Sequence, residues 1–368
     1  MSELCRESRF NMDRLIYMDN AATTSVKPEV LNSMLPFFTD NYANPSSIYN
    51  FAQKSKKAVE DARTTIADII GADKPNEIYF TAGGSESDNW ALKATAEAYE
   101  SKGKHIITTK IEHHAILHTC EWLEKHGYEV TYLDVDSNGL VDIDEFCAAI
   151  KDTTIIASIM YANNEIGTIQ PIKKLVTIAH NHGIMFHTDA VQAIPHIHID
   201  VQDIGCDMLS ASGHKFGGPK SIGFLYANSK SRLVPLINGG KQERSVRPGT
   251  ENILGIVSMA AALEDTVEHI DERNEYVKHL RDKLLDCLLQ IPGSTLNGSF
   301  ENRVSGNINI QFTGVSGADL VTLCSMYHIY ISAGSACNEG EATPSHVLKA
   351  IGLTDEQALN SIRISLSH

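Results

Sequence analysis

Lys215 stands within Ser210-Ala-Ser-Gly-His-Lys-Phe-Gly-Gly-Pro219, among groups able to hold a phosphate. Leu209 and its neighbours read as a strand end, which places Ser212, Gly213, His214 and Lys215 in a loop above a sheet. A hydroxyl, a backbone amide and an imidazole beside an amine suit a phosphorylated carbonyl cofactor bonded to that amine. Pyridoxal phosphate, carried as a Schiff base on Lys215, meets that description. The alternative is a surface lysine in a glycine-rich turn, and the other motifs decide between the two.

Thr81-Ala-Gly-Gly-Ser-Glu-Ser87 follows a strand and opens an amphipathic helix, Asp88 to Glu100. Amides at a helix start, with Gly83 and Gly84 permitting close approach, make a phosphate cradle; the plainer reading has Ser85 as an N-cap. In His187-Thr-Asp-Ala-Val-Gln192, Asp189 could pair with a pyridinium nitrogen and Gln192 could reach a ring hydroxyl, or Asp189 caps the next helix. Glu112-His113-His114 offers an imidazole to stack on a flat cofactor and move protons, against ordinary polar surface. Asn163-Asn164-Glu-Ile-Gly167 offers amides for a cofactor oxygen or a substrate carboxylate, and Thr250 in Arg247-Pro-Gly-Thr-Glu-Asn252 a further phosphate hydroxyl. Ser332-Ala-Gly-Ser-Ala-Cys337 puts a thiol on an exposed loop of small residues, able to approach an electrophile and then carry cargo away. A stray surface thiol is the alternative there.

These motifs need a scaffold. The chain of 368 residues, 42% hydrophobic and 21% charged, has the make-up of an ordinary globular protein with two unequal domains. A net charge of −15 argues against a nucleic-acid surface or a basic membrane-binding face. The first residues lack the apolar core of a signal peptide, and no apolar run is long enough to cross a bilayer. Met12 is an alternative start. Seven scattered cysteines form neither a disulfide framework nor a zinc pattern, which points to the reducing cytoplasm.

Short apolar runs (Ile78–Phe80, His105–Ile107, Val130–Leu133, Ile155–Met160, Ile184–Phe186, Met208–Leu209) alternate with amphipathic stretches such as Ile116–Lys125 and Ile172–His182. Such alternation implies an α/β fold, a mostly parallel sheet covered on both faces, with its site beyond the carboxyl ends of the strands. Two long helical patterns follow, Asn252 to Glu275 and onward to Leu289. Val304–Phe312, Leu320–Met326 and Ile362–Leu366 then read as strand, helix and strand of a smaller domain. Asp134 to Glu145 satisfies the EF-hand loop pattern position for position, yet Tyr128–Leu133 alternates like a strand, so the entering helix is missing and calcium is rejected. His196 and His198 lack the third ligand that zinc requires.

With these residues together, the chain resembles the cysteine desulfurases of the NifS/IscS type, within the fold-type I pyridoxal-phosphate enzymes. The likeness runs from Ile16 to Ser365 through Tyr17-Met-Asp-Asn-Ala-Ala-Thr-Thr24, Asn44-Pro-Ser-Ser47, Glu112-His113, Asn163–Gly167, Asp189 with Gln192, Ser212–Lys215, Arg247 with Gly249-Thr250, and Ser335-Ala-Cys337. Three features depart from the family pattern: Lys241 after Gly239-Gly240, Tyr49-Asn50 after Ser47, and a loop about one residue shorter between Cys337 and Pro344. The chain stops soon after Arg363, where relatives continue.

The resemblance implies a seven-stranded, mostly parallel large domain over residues 16–260 after an extension at 1–15. A smaller α+β domain at 261–368 would carry the Cys337 loop. It implies a homodimer that turns L-cysteine into L-alanine and passes the sulfur, as a persulfide, to an acceptor protein. Carried onto this chain, Lys215 holds the cofactor, Asp189 and Gln192 tune its ring, and His113 stacks on the ring and moves protons. Gly84, Ser85, Ser212 and His214 bind the phosphate, with Thr250 reaching across from the other subunit. Asn164 and Arg363 hold the substrate carboxylate, and Cys337 takes the sulfur. Other readings are a selenocysteine lyase, a cysteine sulfinate desulfinase, a turnover-deficient scaffold, or an aminotransferase, for which Cys337 would have no use.

Overall fold

The computed structural model describes residues 15–333 and 343–367. A two-residue strand, β1 (Ile16–Tyr17), leads in. One sheet is then built from β2 (Ile78–Thr81), β3 (His105–Thr109), β4 (Glu129–Leu133), β5 (Thr154–Ser158), β6 (Met185–Asp189), β7 (Met208–Ser212) and β8 (Gly223–Ala227). Its order is β2-β8-β7-β6-β5-β3-β4. β8 runs antiparallel to both its neighbours, while β4, β3, β5, β6 and β7 are mutually parallel. This is the mostly parallel seven-stranded sheet expected. The sequence periodicity does not single out β8; its signal is the Gly217-Gly218-Pro219 connection, too short for the crossover that a parallel strand needs.

β3, β5, β7 and β8 are buried along their whole length, as strands covered on both faces require. On one face Phe80, Leu209 and Phe224 pack with Ile66 and Met259 from helices Asn50–Ile69 and Ile253–Glu268. On the other, Ile106, Ile156 and Met208 pack with Trp90 and Ile116 from helices Gly84–Ala98 and His114–Glu124. The break between the two long helices falls at His269, whose φ of −122° and ψ of 21° leave the helical region, and not at Glu275.

Towards the C-terminus come β9 (Ser294–Leu296), β10 (Asn307–Phe312), β11 (Ile329–Tyr330) and β12 (Ser361–Ser365). β12, β10 and β9 form a separate antiparallel sheet, and β11 pairs in parallel with β1. Ile308, Ile310, Ile362 and Ile364 cluster with Leu285. The two-residue alternation of strands then turns Asn307, Asn309 and Arg363 to the opposite face, towards the larger sheet.

The Asp134–Glu145 segment leaves a strand, β4. Asp136 Oδ1 accepts the amides of Asn138 (2.9 Å) and Leu140 (2.8 Å), and Asp142 Oδ1 those of Asp144 (2.7 Å) and Glu145 (3.1 Å). Those carboxylates close a turn and cap the helix Ile143–Ala149. His196 and His198 face different partners, Ser305 and Asp271. Among the described residues, no helix is long and apolar enough to cross a membrane.

Candidate active site

β2, β3, β5, β6 and β7 deliver their C-terminal ends to one edge of the sheet, where open α/β sheets bind ligands. After β2 the chain turns through Gly83, whose φ of +146° only glycine adopts readily, into the helix Gly84–Ala98. Gly83 is the N-cap; Ser85 sits inside the first turn, contrary to the simpler reading of the sequence. A Cβ on Gly84 would come 2.7 Å from Val191 Cγ2. The helix start therefore opens a cavity of about 520 Å³ lined by Thr23, Gly83, Gly84, Ser85, Ser212 and His214. Amides, hydroxyls and the positive helix end suit an anion there. His214 Nδ1 lies 3.1 Å from Thr23 Oγ1, and burial together with the Lys215 charge lowers this ring to about 4.

Lys215 follows β7 in a single turn, Gly213–Lys215. Its Nζ donates to the carbonyls of Ala21 (2.7 Å) and Ala22 (2.8 Å), and Gln192 Nε2 donates to the same Ala21 oxygen at 2.9 Å. Both side chains line a second cavity of about 260 Å³, with Tyr17, Asn20, Asn163 and Asn307. Asp189 ends β6, buried, with Oδ1 accepting the Val191 amide at 2.9 Å. The next helix, Val201–Ile204, is capped by Asp200, so Asp189 is not a helix cap. Burial raises the Asp189 carboxyl to about 6, although the Val191 hydrogen bond and the Lys215 charge both favour its anion.

His113 caps the helix His114–Glu124, with Nδ1 accepting the Ala115 amide at 3.1 Å. Nδ1 is thus the bare nitrogen of the neutral ring, and Nε2 carries the proton. Burial first, then the charges of Lys215 and neighbouring histidines, lower His113 to about 4. Glu112 is wholly buried; it accepts from Thr109 Oγ1 (2.8 Å) and the Met160 amide (3.0 and 3.1 Å), and burial raises it to about 8.

Arg363 projects from β12 and is 1% exposed. Its Nη2 donates to Asp19 Oδ1 at 2.8 Å and its Nη1 to the Asn164 carbonyl at 3.1 Å. Its Nε is buried with no hydrogen-bond partner among the described residues. Asn163 closes the adjacent loop itself, with Oδ1 accepting the Glu165 and Ile166 amides at 2.9 and 3.0 Å. Those two amides are therefore engaged within the loop and are not open to a ligand. Thr250 lines a neighbouring cavity with Glu243 and Arg247, outside the Ser85–His214 cradle. Cys337 lies outside the described residues.

The family model Aminotransferase class-V matches residues 16–368. The chain belongs to that family. The cysteine desulfurase IscS of Methanosarcina thermophila is 52% identical over 354 residues, which span 96% of this chain and 87% of that one. The IscS of Clostridium botulinum is 51% identical over 96% of this chain and 90% of its own. A solved NifS-like protein superposes with a TM-score of 0.91 at 38% identity, covering 96% and 94% of the two chains. A structure described as SspA in complex with cysteine gives 0.85 at 41%, covering 96% and 99%.

This class-V site also contains groups to which the sequence assigns no role. Asp19 reaches Arg363 from 344 positions away. His114 stacks on His118 (5.0 Å between centroids) and meets His346 (4.8 Å), whose Nε2 lies 2.9 Å from the Glu112 carbonyl oxygen. Asp88 sits under Asp189. The signal for Asp88 is a charge at an inward position of the helix Gly84–Ala98, in phase with Gly84, Ser87, Ala91 and Thr95.

Proposed function

We propose that this chain is a pyridoxal-phosphate-dependent cysteine desulfurase that turns L-cysteine into L-alanine and leaves the sulfur as a persulfide on Cys337. One observation carries the reading: Lys215, buried Asp189 and the Gly83–Gly84 cradle stand together at the strand edge, in a chain half identical to named cysteine desulfurases. A cradle for an anion, an amine and a buried carboxyl are the donor set that a phosphorylated pyridine aldehyde requires.

When bound, pyridoxal phosphate supplies an electron sink for charge left on the substrate carbon. Gly84, Ser85, Ser212 and His214 would hold the phosphate, completed by Thr250 of the partner subunit in a homodimer. Lys215 would hold the carbonyl carbon, Asp189 the ring nitrogen and Gln192 the ring hydroxyl. Exposed Leu31, Leu35, Phe38, Tyr42 and Ile48 form an apolar stretch that a second copy would cover.

His113, neutral and carrying its proton on Nε2, delivers and collects protons at the substrate. Arg363 and Asn164 orient the substrate carboxylate; the Nε, with no hydrogen-bond partner among the described residues, can take an acceptor from it. The Cys337 thiolate attacks the cysteine sulfur. A sulfur–sulfur bond forms, the carbon–sulfur bond breaks, and its electron pair stays with carbon, which takes a proton to become alanine. The persulfide then passes to an acceptor protein for iron–sulfur assembly or thiolation, in the reducing cytoplasm.

Alanine and sulfide released from L-cysteine with reductant present test this directly. Equal amounts, abolished by Cys337→Ala, are expected. A protein that binds the cofactor yet forms no alanine would overturn the reading.

A further inference from the structure

A buried polar layer lies beneath Asp189. Asp88, 1% exposed, points inward from the helix Gly84–Ala98. Its Oδ1 has no hydrogen-bond partner among the described residues and lies 3.8 Å from His187 Nε2. His187, fully buried, precedes Asp189 by two residues on β6, so both face this helix. Each of its ring nitrogens is 2.9 Å from a serine hydroxyl, Nδ1 from Ser158 and Nε2 from Ser210. Ser210 is the register partner of Asp189 on β7, and its hydroxyl favours the Asp88 anion, against the larger effect of burial.

Asp88, Glu112 and Asp189 are therefore neighbouring buried carboxyls, and the Lys215 charge acts on Asp189. Adjacent carboxylates in a low-dielectric interior cannot both stay ionised. Asp189 has the better claim to the charge, since the Val191 amide and Lys215 both stabilise its anion. Asp88 has an unpartnered oxygen and a neutral imidazole beside it. Burial, then the Asp189 charge, push its carboxyl well above the usual range, while burial holds His187 near 3.

The geometry points to Asp88 as a positioning residue: a carboxylic acid kept neutral behind Asp189, so that the single negative charge of the pair rests where the cofactor ring nitrogen binds. Its last clause rests on the cofactor reading above; the protonation of Asp88 does not.

The test compares the full-length native protein with Asp88→Asn. Without cofactor, thermal unfolding is followed from pH 4 to pH 8. In the unfolded chain Asp88 ionises near pH ~4, whereas the native carboxyl keeps its proton, so the native protein loses stability relative to the variant as pH rises. The midpoint advantage of Asp88→Asn should grow by ~2 °C or more over that range. A gap that stays level or narrows means an ionised Asp88 and overturns the proposal. With pyridoxal phosphate bound, the pH midpoint of the cofactor absorbance should stay within about 0.3 unit in Asp88→Asn and move by about one unit or more in Asp189→Asn. A larger shift in Asp88→Asn also overturns it. Should Asp88→Asn not fold, Asp88→Ser gives the same comparison. Failure to bind pyridoxal phosphate defeats the cofactor reading alone, and the unfolding series still decides Asp88.

Discussion

Arg63 and Arg363 are both almost wholly buried, at 3% and 1% exposure, yet only one grips a carboxylate with both terminal nitrogens. Arg63 clasps Glu243 through both terminal nitrogens, at 2.8 and 2.7 Å, and donates to the Ile78 carbonyl at 2.7 Å. Its guanidinium lies 4.5 Å from the centre of the Phe80 ring, and its Nε is 3.4 Å from Glu60. Arg363 has one oxygen of Asp19 and one backbone carbonyl, and among the described residues the Nε of neither arginine has a hydrogen-bond partner. A fork matched to a buried carboxylate is a structural pair, complete within the fold. A fork short of an acceptor can take one from a ligand. Burial alone does not mark a functional arginine; terminal nitrogens not matched to one carboxylate do.

Breaking the complete pair should cost the most. Arg63→Ala leaves the Glu243 carboxylate buried without its cation, and denaturant unfolding should show a loss of about 3–5 kcal/mol. A loss below about 1 kcal/mol would mean that water or Arg244 replaces the pair.

Arg363→Lys should instead act on binding. Losing fork geometry towards a carboxylate is worth about 1.5–3 kcal/mol, so KM for L-cysteine should rise roughly 10- to 150-fold while unfolding changes less than in Arg63→Ala. The reverse pattern would erase the distinction between the two arginines.

The edge that holds Arg363 also keeps His113 neutral, and that has a pH signature. The folded value near 4 lies below the ordinary value of 6.5. The stability His113 contributes is therefore present above pH ~6.5 and is lost as pH falls through about 4. Removing it in His113→Asn should make unfolding midpoints fall less steeply between pH 7 and pH 4.5, with the share of His187 remaining. Parallel slopes would show that His113 titrates normally.

The smallest change is expected from Glu60→Gln. Its carboxylate is more than half exposed, so its pairing with Arg63 should be worth no more than about 0.5 kcal/mol. A larger loss would make Glu60, and not Glu243, the main partner.

Much of this site is legible locally because its residues sit where a strand ends. Ser212 to Lys215, Asp189, His113 and Gly84 each follow an apolar run, and the parallel sheet gathers those ends on one edge. Asp142 caps its helix as its position predicts, and the strand before the calcium-like loop follows from simple alternation. The loop Asn163–Gly167 was less readable. Whether its amides serve a ligand or the Asn163 side chain depends on a rotamer, and the sequence carries no sign of it.

The sequence by itself determined the period of each element, the glycines at the cradle and the order of chemical groups along the chain. These depend on backbone dihedrals and on neighbours within a turn or two. Only the tertiary structure decided that β1 joins β11, that Asp19 meets Arg363 and that Asp88 meets His187. Each of these pairings joins different elements, and the protonation of Asp88 follows from how much water and which charges those elements leave around it. Neither quantity exists until the chain has folded.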